Sequence, residues 1–500
     1  MRRDAALCAL IAAWLLPGLL GHDPWKPDEA YTFGLVYHIR ETGEWLVPTL
    51  AGEPFVEKPP LFFWTAALFS YLFGWLMPLH DAARLASAFY VALALWFTYL
   101  AAERRVAAPL LLAACLGYLQ HAHQLITDDA MLAGMAIGIY GLACRSGWIL
   151  GTGAGIAFLS KGLLGPGLLA LTAGALIPFR DWRDSWRTWG VALLAFAPWA
   201  LVWPWLLYQH SPALFHEWFW VNNFGRFTGE AGLGGVLDHA HYAKALVWFA
   251  LPAWPLAAWT VWRYRAATPA LQLPLVAFVV MFVVLSAASS ARTLYGLPLL
   301  VPLALLAAAS QPPAWLEKPL DAIAVWVFGV AGAMLWSGWI LFIAGRRSSF
   351  LETQAPGFMP HWQPVALIAA IGITGLWFYA LRLEPRVPVR WLAGIMLVWG
   401  LAMTLWLPWL DYAKSYRGVI EAMQTVRSQR PGCVAARNLT EPQRAMFDYH
   451  AGIRARARSD CPWLLVHTGT AQVPAPEGWK LAWQGTRPGD TKEFFWLFSR

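Results

Sequence analysis

Pro27-Asp28-Glu29-Ala30 and, one polar loop later, Gly52-Glu53-Pro54-Phe55-Val56-Glu57-Lys58-Pro59-Pro60-Leu61 decide how this chain is read. Between them lies Trp45-Leu46-Val47-Pro48. The chain on either side is almost wholly apolar. Charges next to a bilayer are costly unless they face water, a partner or a substrate. Asp28, Glu29, Glu57 and Lys58, gathered at one membrane surface, therefore point to a reaction centre.

Working outward, the 500 residues are 58% hydrophobic and only 13% charged, with mean hydropathy +0.47. A soluble chain carries about 25% charged residues. Repeated apolar stretches near the ~20 residues needed to cross a bilayer predict an all-α polytopic membrane protein. The net charge of +8 is no nucleic-acid signature, because the basic residues sit in short loops between apolar segments and orient the protein. The 33 Trp read as aromatic belts at the two interfaces. No Gly-x-x-x-x-Gly-Lys-Ser/Thr loop occurs, so nothing suggests nucleotide use.

Counting every apolar segment as a span would put Arg104-Arg105 and later basic loops outside, against the positive-inside tendency. Letting 60–78 lie in the interface repairs this and leaves about thirteen transmembrane helices. That segment opens with Pro59-Pro60 and carries Phe62, Phe63, Trp64, Phe69, Tyr71 and Phe73. The apolar run that follows Met1-Arg2-Arg3 has no small-x-small cleavage site, so it is read as a retained first helix with a cytoplasmic N-terminus. Asp28-Glu29, Glu57-Lys58 and Asp128-Asp129 then share the outer face, and Arg346-Arg347 is the exception among the basic pairs. The expected organisation is a transmembrane domain over 1–410, with an outer loop 22–82 containing interfacial helices, and a small extracytoplasmic α/β domain over 411–500. Within the latter a helix is expected over 415–429, with strands at 463–466, 479–483 and 493–498. An extracytoplasmic setting would permit a disulfide between Cys433 and Cys461.

Each charged group has a plain structural reading beside a chemical one. Asp28-Glu29 and Asp128-Asp129 can simply cap helix starts; alternatively, one acid of a pair accepts a proton from an acceptor hydroxyl. Glu57-Lys58 can be a surface ion pair, or Lys58 can take a phosphate and Glu57 a cation. Lys161 either snorkels or neutralises an anion. Arg226 and Arg292 at span ends are anchors or phosphate forks. His121-x-His123 has metal-like spacing but too few ligands of its own. Several cations on one face with acids among them favour an anionic substrate group.

The order Asp-Glu-Ala, Gly-x-Trp-Leu-Val-Pro, Gly-x-Pro-Phe-x-Glu-Lys-Pro-Pro-Leu, Thr-x-Asp, Phe-Leu-Ser-Lys-Gly, Asn-x-x-Gly-Arg-Phe and Arg-x-x-Tyr-x-Leu-Pro resembles the bacterial lipid A aminoarabinose transferases. It is also similar to their relatives in the protein O-mannosyltransferase superfamily. The resemblance implies a GT-C fold and sugar transfer from a polyprenyl-phosphate donor at the periplasmic face of the bacterial inner membrane. The acceptor would be lipid A, another surface glycan, or a protein hydroxyl. It further implies Asp28 and Asp129 as catalytic acids, and Lys58, Lys161, Arg226, Arg292 and Tyr295 around the donor phosphate. Glu29, Asp128 and Asn223 would contact acceptor or sugar, and Glu57 would hold a divalent metal. Asn223 stands where members can carry a metal-binding histidine. A transporter or flippase is the competing class, although its sites tend to lie at mid-membrane between repeated halves, and no repeat is visible here.

Overall fold

A computed structural model describes residues 2–182, 186–225, 238–264, 268–288, 291–346, 348–384, 386–454 and 461–500. The apolar segments fold as helices, and the chain is a mostly helical, multi-pass membrane protein with a small C-terminal sheet. Among the described residues, Leu79–Ala101, Trp186–His210, Pro269–Ala287 and Ala314–Ile343 are each long and apolar enough to cross a bilayer. Two bent pairs, His241–Phe249 with Ala253–Tyr264 and Arg386–Ala402 with Leu407–Lys414, raise the number to six. Other expected spans are shorter or broken. The segment expected over 106–120 is two helices, Ala107–Ala113 and Leu116–His121, parted at Cys115. The one over 293–309 begins as a 3₁₀ turn, Thr293–Leu299, with Pro298 inside it; proline removes a backbone donor and unsettles the α-helical ladder. In 60–78 the helix is Leu61–Phe73, about 20 Å long at 1.5 Å per residue and shorter than a hydrocarbon core.

The 22–82 segment holds the helix Asp28–Thr42 and a two-stranded hairpin, β1 (Thr49–Leu50) paired with β2 (Glu53–Pro54). That hairpin delivers Glu57-Lys58 to the start of the Leu61–Phe73 helix. At the C-terminus, β3 (Val434–Arg437), β4 (Trp463–Thr468), β5 (Lys480–Gly485) and β6 (Phe494–Ser499) form one sheet in the order β3-β4-β6-β5. β3 and β4 are parallel, and the other pairs are antiparallel. Helices Arg417–Arg427 and Glu441–Ala451 accompany it. Cys433 and Cys461 form a disulfide across a Cα separation of 5.1 Å.

The Glu441–Ala451 helix packs against Asp28–Thr42, so the C-terminal sheet region rests on the 22–82 segment. Charges reinforce the seat. Arg417 Nε donates to Asp23 Oδ2 at 2.9 Å, Asp411 Oδ1 accepts from Trp25 Nε1 at 2.9 Å, and Lys26 Nζ lies 3.0 Å from Glu493 Oε1.

Candidate active site

Two antiparallel helices set the first half of the site. Thr127–Ala143 and Gly147–Lys161 are joined by a short turn at Cys144–Ser146, so the start of one meets the end of the other. Small residues line the seam: a Cβ on Gly134 would sit 2.6 Å from the Ala157 backbone nitrogen. Small-xxx-small patterns such as Gly134-x-x-x-Gly138 let apolar helices approach this closely. The close seam brings Asp128, in the first turn of one helix, against Lys161, in the last turn of the other. They form a direct ion pair with Asp128 fully buried. Lys161 Nζ also lies 4.3 Å from the Tyr295 ring centre, a cation–π contact. Gly162 ends the second helix at φ +77°, and any Cβ there would strike Asn223 Oδ1. The turn that aims Lys161 therefore requires glycine.

The 22–82 segment supplies the second half. Asp28 opens the helix Asp28–Thr42, where the helix dipole favours an anion. Tyr31, three residues on and on the same face, donates to Asp28 Oδ1 at 2.8 Å. Lys58 donates to the Tyr31 oxygen, and its Nζ lies 4.0 Å from Asp28 Oδ1. Burial works against the Asp28 charge. Lys58, the Tyr31 hydrogen bond, Lys161 and Arg292 together outweigh it and hold the carboxyl below its usual range. Burial likewise opposes the Lys58 charge, but Tyr31, Glu57 and Asp28 keep the ammonium above its usual range. Asp28 is thus held as a carboxylate, and its side chain keeps 26% exposure against 9% for Lys58.

Glu57, Lys58, Lys161, Asn223, Tyr242 and Tyr295 all line one cavity of about 340 Å³. Asn222 adds a further polar group, and the rest of the lining is apolar, including Leu163, Leu164, Val284 and Leu285. Cations together with apolar walls suit an amphiphile bearing an anionic head. Arg292 is exposed beside it, and Arg226 lies outside the described residues.

Three expected roles do not match the positions found. Glu29 does not join Asp28. It accepts from Arg84 Nε at 2.6 Å and from Trp25 N at 3.0 Å, because the next residue on a helix faces about 100° away. Asp129 is sealed in the helix interior with both oxygens lacking hydrogen-bond partners among the described residues, and Asp128 is the acid that meets the cations. Asn223 touches the cavity, but its amide is engaged by backbone: Oδ1 accepts from Leu163 N at 3.2 Å and Nδ2 donates to Trp218 O at 2.8 Å. As for a divalent metal at Glu57, the described residues contain no group of three or more His, Cys, Asp or Glu able to hold one, and the neighbour supplied here is an ammonium. His123 bonds the Trp14 and Leu119 carbonyls and belongs to the packing.

Sequence reasoning passed over Tyr31 and Tyr242. The signal for Tyr31 was its i+3 spacing from Asp28; Tyr242 carried none. His121, read from the sequence only as half of a metal-like pair, is buried, with its Nδ1 3.4 Å from Gln124 Oε1.

No family model matches the chain. The undecaprenyl phosphate-alpha-4-amino-4-deoxy-L-arabinose arabinosyl transferase of Pseudomonas savastanoi pv. phaseolicola is 30% identical over 345 residues, covering 61% of this chain. The chain spans 61% of that relative's length. The enzyme of the same name from Pseudomonas paraeruginosa is 27% identical over 450 residues, covering 81% of this chain and 76% of its own. Among solved structures, ArnT from Cupriavidus metallidurans bound to undecaprenyl phosphate superposes with a TM-score of 0.68 at 16% identity. It covers 99% of this chain and 97% of its own, and the apo form gives 0.66. The resemblance read from the ordered motifs is borne out by these relatives, and the architecture is that of the Cupriavidus structures.

Proposed function

We propose that the protein is a GT-C-type membrane glycosyltransferase. It moves a sugar of the 4-amino-4-deoxy-L-arabinose kind from a polyprenyl-phosphate donor to lipid A or another surface acceptor at the periplasmic face of the bacterial inner membrane. The observation that supports the reading is the Asp28 carboxylate, held ionised by Lys58, Lys161 and Arg292, two of which, Lys58 and Lys161, line a largely apolar cavity.

In this mechanism Lys58, with Lys161 and Arg292, receives the donor phosphate while the prenyl chain follows the apolar walls. Asp28 takes the proton of the acceptor hydroxyl as its oxygen bonds to the anomeric carbon. The bond from that carbon to the phosphate oxygen breaks, and polyprenyl phosphate leaves with the bonding pair, its charge met by the cations. Direct displacement inverts the anomeric centre. Holding lipid donor and acceptor together supplies the orientation. No step needs a metal.

On this reading 1–410 form the membrane domain with about thirteen crossings, and 411–500 lie in the periplasm. The Cys433–Cys461 disulfide suits that oxidising compartment. The test is purified full-length protein in liposomes with a polyprenyl-phosphate sugar and lipid A. Glycosylated lipid A of inverted configuration, detected by mass spectrometry and NMR, is the expected product. Donor movement across the bilayer with no glycosidic product would overturn the reading in favour of a flippase.

A further inference from the structure

The geometry points to Tyr31 as a positioning residue, a neutral spacer that keeps the Lys58–Asp28 ion pair from closing to a direct hydrogen bond. This role rests on the glycosyltransferase reading above. Tyr31 is 5% exposed. Its hydroxyl bonds both charges, donating to Asp28 Oδ1 at 2.8 Å and accepting from Lys58 Nζ. The 4.0 Å between Lys58 Nζ and that same Oδ1 exceeds hydrogen-bond range.

The direction of the chain is fixed by chemistry. An ammonium only donates, an ionised carboxylate only accepts, and a phenol does one of each. Burial raises the phenol's pKa, so its proton stays on oxygen. Without that oxygen, the long Lys58 stem can close on Asp28 as a charge-assisted pair at about 2.8 Å. Such a pair would spend the ammonium charge on the carboxylate instead of a phosphate and weaken Asp28 as a base. With the spacer present, no described residue hydrogen-bonds Asp28 Oδ2, which remains open to an acceptor hydroxyl. The other charges facing this group are Lys161 and Arg292 toward Asp28, and Glu57 and Asp128 toward Lys58.

The experiment compares wild type with Tyr31→Phe and Tyr31→Gln, each full-length in liposomes. For Tyr31→Phe, kcat should fall roughly tenfold or more, KM for the donor should rise, and the acid limb of the rate against pH should move to lower pH. Loss of an ordinary hydrogen bond would move that limb upward, and an upward or absent shift overturns the proposal. Tyr31→Gln keeps a donor and an acceptor and should retain the wild-type limb even if Tyr31→Phe does not fold; a limb displaced downward in Tyr31→Gln overturns the proposal. Cryo-electron microscopy of Tyr31→Phe gives a readout independent of turnover. Lys58 Nζ should lie closer than 4.0 Å to Asp28, and an unchanged separation overturns the spacer role. If wild type transfers no sugar while the gap closes in the variant, the functional reading fails and the spacer stands.

Discussion

Asp28 and Glu29 are neighbours in sequence and belong to opposite kinds of electrostatic site. Glu29 enters a closed network. Arg84, fully buried, gives Nε to Glu29 at 2.6 Å and Nη1 to Asp81 at 2.7 Å, and its Nη2 lies 3.1 Å from His22 Nδ1. The His22 ring is seated between two backbone carbonyls, Asp23 O at 2.7 Å from Nδ1 and Gly18 O at 3.0 Å from Nε2. Asp28 enters an open cluster, with one oxygen held by Tyr31 and three cations nearby that do not touch it. Buried charges whose partners are all present fix structure. Charges held ionised beside a cavity, with bonding capacity to spare, are what chemistry needs.

Breaking the closed network should have the largest effect. Arg84→Met leaves Glu29 and Asp81 buried without their cation and should cost about 3–5 kcal/mol, read as a lower melting temperature in detergent. Breaking the open cluster should instead spare stability. Lys58→Met should lower transfer roughly 100-fold, with the donor KM rising and the melting curve near wild type.

Acid sharpens the contrast. Burial and the Arg84 charge lower the His22 pKa from 6.5 to about 4. Between those values the unfolded chain binds a proton that the folded one refuses, so stability drops as pH falls through this window, by up to ~1.4 kcal/mol per pH unit. Asp23 sits below its ordinary 3.8: burial opposes its charge, but the Arg417 and Ser415 hydrogen bonds prevail. Its contribution is present above 3.8 and is lost as pH falls through its lower folded value. Denaturant melts from pH 7 to 4 should show this slope, to which His450, also lowered to about 4 by burial, adds, and His22→Gln should make it shallower. The smallest effect is expected from Arg417→Ala, about 1 kcal/mol, because its side chain is 48% exposed and Ser415 still bonds Asp23. Faster proteolytic release of the C-terminal domain is the readout.

The open cluster was legible because its members carry local signals. Lys58 sits before two prolines, Lys161 ends an apolar helix before glycine, and Asp28 opens a helix. The closed network was not legible. Arg84 is an arginine in an apolar helix with no motif around it, and its bond to Glu29 spans 55 positions. Choosing between Asp128 and Asp129 needed the rotation of one helix, which is set by glycine packing at Gly134 and beyond. The sheet was visible at β4, β5 and β6 through their aromatic and β-branched runs. β3, Val434-Ala435-Ala436-Arg437, is short and half alanine, with little strand propensity of its own. The helix Glu441–Ala451 was passed over despite the capping box formed by Thr440 and Gln443.

The most direct measurement sets Asp28→Asn beside Glu29→Gln, recording melting temperature and sugar transfer in the same liposomes. Asp28→Asn should melt close to wild type and lose transfer by roughly 100-fold or more. Glu29→Gln should melt several degrees lower, and its folded fraction should keep most of the transfer rate. The reverse pattern, an active Asp28→Asn or a stable but inactive Glu29→Gln, would contradict the division between the two clusters.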